Sequence, residues 1–245
     1  MNLKGKVAIV TGAGQGMGRG IATKLAADGA AVYVTDRHAD RVEETVRLIR
    51  EQGYQATGGV ADVSKVADIT AMFDGCEEQL GKVDILVANA GVAPIVPIAH
   101  VTEEIFENTY NVNAKGTLFS LKEAGARMND GGHIVVISSS SVHSPVQGMI
   151  VYSSSKAAIQ LMVEVAAREF APRNITVNCV QPGLTVTPKM LGTMPVEFQQ
   201  MMIENTVAKR LGTPEDIAEV VAFYCSDESH WVTGQTILAV GSYFG

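Results

Sequence analysis

Tyr152 and Lys156 stand four residues apart at the head of a strongly helical segment, Tyr152-Ser153-Ser154-Ser155-Lys156. Residues at that spacing share one helix face. A phenol has a reference pKa of about 10, so its anion is scarce at neutral pH, and lowering it to about 7 takes roughly 4 kcal/mol. One ammonium about 4 Å away, in an effective dielectric near ~20, is worth about that much. Lys156 would thus make Tyr152 a usable general acid/base. Taken alone the pattern is common by chance, because a surface tyrosine and a solvated lysine satisfy it equally well.

A second set of residues supplies a place for an anion. The apolar run Val7–Val10 leads into Thr11-Gly12-Ala13-Gly14-Gln15-Gly16-Met17-Gly18, and helical periodicity continues to Ala27. Glycines at a strand-to-helix turn let the backbone approach a pyrophosphate, toward which the first helical N–H groups point. The spacing is Thr-Gly-x-x-x-Gly-x-Gly and departs from G-x-G-x-x-G. Asp36 follows Gly16 by 20 residues, at the end of the second apolar run. A carboxylate there accepts hydrogen bonds from an adenosine ribose and repels a 2′-phosphate, selecting NAD over NADP. Arg37 beside it would favour the phosphate. A helix cap or turn is the bland reading of Asp36, and a methyltransferase would also place glycines after its first strand and an acid after its second.

Elements that position these residues alternate along the chain. Val7–Val10, Ala31–Thr35, Val83–Ala88, His133–Ile137 and Ile175–Val180 read as buried strands. A third strand is placed around Gly58-Gly59, where β-branched residues are missing. Gly18–Ala27, Arg41–Glu51, Val66–Leu80, Glu103–Met128 and Tyr152–Phe170 carry helical spacing, and another helix starts near Pro214. Asn129-Asp130-Gly131-Gly132 marks a turn before the fifth strand. Alternation of this kind predicts one α/β domain over residues 1–245, with a doubly wound parallel sheet and helices on both faces. Leu184–Thr213 breaks the rhythm and is expected to be a substrate loop or lid.

Taken together, these motifs resemble the short-chain dehydrogenase/reductase family, NAD(P)-dependent oxidoreductases on a Rossmann-type sheet. The glycine loop matches the family's cofactor loop, and Asp62-Val63 its adenine-contacting pair. Ala88-Asn89-Ala90-Gly91 is similar to its Asn-Asn-Ala-Gly at the end of strand four. Asn113 falls at the catalytic asparagine, and Ser139, 13 residues before Tyr152, at the catalytic serine. Ser138, Ser140 and Ser141 are neighbours that only this spacing sets aside. Pro182-Gly183, with Thr185 and Thr187, looks like the loop that contacts nicotinamide. The match runs from Lys4 to about Val240. Two departures stand out: Ala88 replaces an asparagine, and Val240-Gly241-Ser242-Tyr243 stands where relatives carry Val-Asp-Gly-Gly.

The resemblance implies roles. Tyr152 would exchange a proton with the substrate oxygen, Ser139 would hydrogen-bond that oxygen, and Lys156 would hold the nicotinamide ribose. Asn113 would anchor a water between Lys156 and solvent. An oxidised nicotinamide ring would add a second positive charge beside the phenol. Gly12, Gln15, Gly16, Met17, Gly18, Asp36, Arg37, Asp62, Val63, Asn89, Ala90, Gly91, Pro182, Gly183, Thr185 and Thr187 are the expected cofactor contacts, with Tyr152 and Lys156. Relatives commonly pair their long helices into dimers and tetramers, so a homo-oligomer is expected. A catalytically silent NAD sensor on the same fold is the alternative, together with the methyltransferase.

Composition narrows partners and substrate. Nineteen basic against 26 acidic residues, with no basic block, argue against nucleic-acid binding. No run approaches the ~18 apolar residues of a membrane span, and four apolar residues after Lys6 are too few for a signal core of about 7–15. Three scattered cysteines, Cys76, Cys179 and Cys225, fit a reducing cytosol. His38, His100, His133 and His230 lack metal-ligand spacing, and no catalytic metal is expected. Substrate contacts are expected from Ser139, Tyr152, Ser141, His143, Gln147, Pro94, Leu184, Met190, Met194 and Phe198. Methionines fit irregular apolar shapes, which favours a small, uncharged apolar alcohol or ketone.

Overall fold

Seven strands form one parallel sheet in the order β3-β2-β1-β4-β5-β6-β7. The computed structural model describes residues 1–186 and 195–241, the side chain of Phe198 excepted. The strands are β1 (Val7–Thr11), β2 (Ala31–Asp36), β3 (Ala56–Val60), β4 (Ile85–Ala88), β5 (His133–Ile137), β6 (Thr176–Pro182) and β7 (Thr236–Ala239). Helices α1 (Gly16–Ala27), α2 (Ala39–Glu51), α3 (Val66–Leu80), α4 (Glu103–Tyr110), α5 (Gly116–Arg127), α6 (Ile150–Phe170), α7 (Val196–Glu204) and α8 (Pro214–Tyr224) cover it.

Side chains alternate across each strand, so one sheet feeds two apolar layers. Ala8 and Val10 pack with Ile21, Leu25, Val180 and Val221 beneath α1 and α8; Val7 and Ile9 pack with Phe73, Leu121, Ile159 and Val163 beneath α3, α5 and α6. The chain winds outward through β2 and β3, then returns to place β4 on the other side of β1. Strand order reverses at the β1–β4 seam, where open α/β sheets hold ligands.

The weak signal for β3 has a packing cause. A Cβ on Gly58 would lie 2.3 Å from the Val34 carbonyl oxygen, and one on Gly59 would lie 2.3 Å from the Tyr33 hydroxyl. Tyr33 takes the space a β-branched residue would need. β3 is an edge strand, where this loss is tolerated.

Two expectations are corrected. The continuous helix over Glu103–Met128 is instead α4, a π-helical turn at Asn111–Lys115, and α5. Leu184–Thr213 is not simply a loop, since it contains α7 and a parallel bridge between Thr185 and Gly212. Thr187, Met190 and Met194 lie outside the described residues. Among the described residues, no helix is long and apolar enough to cross a membrane, and no cluster of three metal-ligating side chains occurs.

Candidate active site

The β1–β4 seam is tied together by side chains of its own two loops. Thr11 Oγ1 accepts from the N–H groups of Asn89 and Ala90, each at 3.0 Å. Asn89 Nδ2 donates back to the Thr11 carbonyl at 2.8 Å. Gly12 has φ +63°, and a Cβ on it would lie 2.8 Å from Ala90 Cα. A Cβ on Gly18 would lie 2.2 Å from the Gly12 carbonyl oxygen. The glycines are therefore demanded by the approach of β1, the β4 loop and α1. α1 begins at Gly16 with Gln15 as an N-cap whose side chain makes no capping bond, and its first turn has no acid. Its leading N–H groups are suited to an external anion. Met17 packs partly buried on the layer under α1.

Asp36 closes the far side of the loop. Its Oδ2 accepts from the Gly14 N–H at 3.2 Å and its Oδ1 from the His38 N–H at 3.1 Å. Arg19 holds the same turn by donating to the Gly14 carbonyl at 2.6 Å. Asp36 is thus partly the turn residue of the bland reading, but a carboxylate offers about four acceptor positions, leaving capacity for more. Arg37 lies exposed and donates to His38 Nε2 at 3.1 Å. Asp62 follows β3; burial works to raise its pKa, but hydrogen bonds from Ser64 Oγ and N–H, with Lys65 and Arg37 nearby, hold it below the ordinary carboxylate value. Val63 packs against the start of α5, 2.9 Å separating its carbonyl oxygen from a Cβ built on Gly116.

Tyr152 and Lys156 occupy the first two turns of α6. Ser139, the residue before a short helical turn after β5, lies close enough to the Tyr152 hydroxyl to influence its titration. Its own Oγ also accepts from the Ser141 N–H at 3.1 Å. Ser138 is used differently, donating to the Lys156 carbonyl at 2.9 Å. That separation of roles among adjacent serines was not legible beyond the 13-residue spacing. Lys156 is buried, and Nζ donates to the Ile137 carbonyl at 2.7 Å.

The expected electrostatics are reversed in direction. Burial pushes the Tyr152 phenol above its ordinary value, and the nearby Ser139 hydroxyl opposes this only in part. Burial also pushes the Lys156 amine down to about 8. In this chain the lysine is the group brought close to neutrality. Lone sequence spacing cannot show this, because desolvation depends on the covering layers.

Asn113 lies in the π-helical turn, fully buried. Its Oδ1 accepts from the Val92 N–H and its Nδ2 donates to the Val92 carbonyl and to Ser155 Oγ, all at 2.9 Å. Ser155 Oγ in turn donates to the Tyr152 carbonyl at 2.7 Å. A Cβ on Gly91 would be 3.3 Å from both Asn113 Oδ1 and Lys156 Nζ. Ala90 and Gly91 therefore bring the β4 loop to Lys156. Sequence reasoning missed Ser155, whose only signal was its place inside the Tyr-x-x-x-Lys segment.

Pro182 ends β6, and Gly183 donates to the Ala239 carbonyl at 3.0 Å. Thr185 Oγ1 donates to the Gly183 carbonyl at 3.2 Å, while the Leu184 carbonyl accepts from Gly212. A cavity of about 570 Å³ flanks α6, with Ser141 and Gln147 on its wall. Ser139, Tyr152, Pro94, His143 and Leu184 do not line it. His143 Nε2 instead meets Gln181 Oε1 at 3.0 Å, tying the β5–α6 loop to β6.

Fold and site together define an oxidoreductase on a doubly wound sheet. The family model described as Enoyl-(Acyl carrier protein) reductase matches residues 12–241. An uncharacterized oxidoreductase from Methylorubrum extorquens is 39% identical over 242 residues, covering 98% of each chain. Human dehydrogenase/reductase SDR family member 4 is 38% identical over 244 residues, covering 98% of this chain and 87% of that one. The solved structure of angucycline C-6 ketoreductase LanV with bound NADP is 35% identical, with a TM-score of 0.92 and coverage of 98% and 96%. The chain belongs to the short-chain dehydrogenase/reductase family, whose members bind a nicotinamide cofactor.

Proposed function

We propose that the protein is an NAD-dependent oxidoreductase that interconverts a secondary alcohol and its ketone, with Tyr152 as general acid/base. The observation that carries this reading is that Ser139, Tyr152 and the buried Lys156, whose Nζ donates to the Ile137 carbonyl, gather at the carboxyl end of β5, the same end of the parallel sheet at which the glycine loop follows β1.

The chain's residues fit a dinucleotide. Gly12, Gln15, Gly16, Met17 and Gly18 would receive its phosphates, since a Cβ on Gly12 or Gly18 has no room and the N-terminus of α1 lacks a capping side chain. Asp36 and Arg37 would meet the adenosine ribose, Asp62 and Val63 the adenine. Asn89, Ala90 and Gly91, with Pro182, Gly183 and Thr185, would flank the nicotinamide half. The carboxylate of Asp36 favours NAD, although LanV was solved with NADP. When bound, the cofactor supplies or accepts the hydride.

The residues of this chain handle the proton and the charge. A phenol raised by burial is protonated at neutral pH, which suits donation to a ketone oxygen. Ser139 Oγ would hydrogen-bond the same oxygen as charge develops on it. Lys156, pushed down to about 8, can change protonation near neutrality and so return a proton to the site. Asn113 holds the Val92 turn and, through Ser155, the Tyr152 backbone.

Apolar walls on the 570 Å³ cavity favour an uncharged, largely apolar substrate. Exposed Leu118, Leu161 and Val165 on α5 and α6, and exposed Trp231, Ile237 and Leu238 at the β7 edge, support a homo-oligomer. Three buried free cysteines suit the cytosol. Tyr152→Phe should retain NADH binding by fluorescence titration and lose about 10²–10⁴-fold in ketone turnover. Turnover at the level of the unaltered protein would refute the assignment.

A further inference from the structure

We infer that the hydrogen bond between His143 and Gln181 is a positioning link, which pins the turn that follows Ser139 to the end of β6 and so fixes Ser139 beside Tyr152. Neither residue touches the reacting atoms; both act through Ser139. This rests on the function proposed above and adds two positioning residues to it.

Ser139 is held from both sides, and neighbouring residues of β6 take part in each hold. On one side the Ser138 N–H donates to the Val180 carbonyl at 2.9 Å, and Ser138 Oγ donates to the Lys156 carbonyl at 2.9 Å. On the other side the chain closes a short turn. The Ser141 N–H donates to Ser139 Oγ at 3.1 Å, and the N–H groups of His143 and Ser144 donate to the Ser140 carbonyl at 2.9 and 3.0 Å. The ring of His143 then meets Gln181, which follows Val180 in β6. Among the described residues, the next backbone bond from this loop to another segment comes only at Gly148, whose carbonyl accepts from the Val96 N–H.

Gln181 is destabilising where it stands. It shares a face of β6 with Val177 and Cys179, which are buried in the apolar layer beneath α6. Gln181 is fully buried, and its Nε2 has no hydrogen-bond partner. A buried amide N–H left unpaired opposes folding, and an apolar side chain of similar size would remove that penalty. Such a group in a native protein needs an explanation. Among the described residues, the Gln181 side chain makes one hydrogen bond, with Oε1 3.0 Å from His143 Nε2. That oxygen can only accept, so the imidazole carries its proton on Nε2. Gln160 Nε2, also a donor, lies 3.5 Å from the same ring nitrogen and cannot take over the bond. Reacting groups need support that holds them to within about 0.5 Å. Ser139, which acts on the Tyr152 phenol, has that support in the His143 ring.

The test follows the Tyr152 ring by NMR in the full-length protein, made with tyrosine labelled with carbon-13 at Cζ. The signal is assigned by its loss in Tyr152→Phe. Ser139→Ala should displace it. Gln181→Leu and His143→Leu should each displace it in the same direction, and adding Gln181→Leu to Ser139→Ala should move it no further. His143 is exposed, so its replacement breaks the link without altering the core. The Tm of Gln181→Leu should stay level or rise, because an unpaired buried amide is removed. A Tyr152 signal that keeps its place in both link variants overturns this inference alone. So does a displacement by Gln181→Leu that persists in the Ser139→Ala background. A clear fall in the Tm of Gln181→Leu would give the amide a structural role and overturn it too. A signal that Ser139→Ala leaves in place would separate Ser139 from Tyr152, and the proposed function would fall together with this inference.

Discussion

The side-chain amide of Asn113 closes two hydrogen bonds on the backbone of a single residue, Val92, accepting from its N–H and donating to its carbonyl at 2.9 Å each. The π-helical turn at Asn111–Lys115 puts this amide in position. π-turns inside α-helices recur at functional sites because the extra residue re-aims a side chain. The same amide reaches Ser155, so the β4 loop and the head of α6 are held by one group.

Asn113→Ala should therefore destabilise the protein as well as slow it. Val92 loses both backbone partners and Ser155 loses a donor, for roughly 1–3 kcal/mol. Urea unfolding should show a lower midpoint at unchanged slope, with a loss of turnover. A midpoint equal to that of the parent would show that the Asn113–Val92 link holds nothing in place.

Lys156→Met should lose activity and gain stability. The native chain releases this lysine's proton near pH 8, whereas an unfolded lysine keeps it to about pH 10.5. Below pH 8 the native state carries a buried ammonium at its full cost, so the variant should be more stable by about 1–3 kcal/mol. Between pH 8 and 10.5 the unfolded state binds more protons, so the parent gains stability as pH rises and the gap closes. Denaturant melts at pH 7 and pH 10 check the sign; a gap that widens with pH would contradict burial as the cause.

Asp36→Ala should raise the use of NADP relative to NAD by about 10–100-fold, the range of one hydrogen bond to a charged group. The ratio of kcat/KM for the two cofactors is the readout, which cancels any loosening of the Gly14 turn. An unchanged ratio would leave Asp36 as a turn residue only.

Gly58→Ala should cost about 1–3 kcal/mol by overpacking, because its Cβ meets the Val34 carbonyl oxygen, a backbone atom that cannot swing aside. The effect should appear in urea midpoints and leave cofactor preference untouched. Unaltered stability would mean that the β2–β3 edge yields more than its contacts indicate.

Much of the architecture was legible before any coordinate. β-branched runs alternating with helical periods determine a parallel sheet, since only crossovers of that kind bury both faces. Spacing put Tyr152 and Lys156 on one helix face, the family resemblance added Ser139 at its 13-residue distance, and the glycine loop announced its own turn. Local pattern is enough there because neighbours along the chain supply the geometry. Other features depend on residues distant in sequence. The Glu103–Met128 segment has continuous helical periodicity, yet Asn113 breaks it to meet Val92 and Ser155, which periodicity does not encode. Gly58 and Gly59 look wrong for a strand until Tyr33 and Val34 are placed against them.

Charge state was decided by tertiary structure alone. Four-residue spacing puts Tyr152 and Lys156 on one face, but a pKa responds to what covers each group. Layers drawn from β5, β6 and the β4 loop desolvate both, raising the phenol and lowering the amine. The chain's linear order thus determined which groups could trade a proton, and the packing of distant segments over them decided that the amine releases its proton before the phenol.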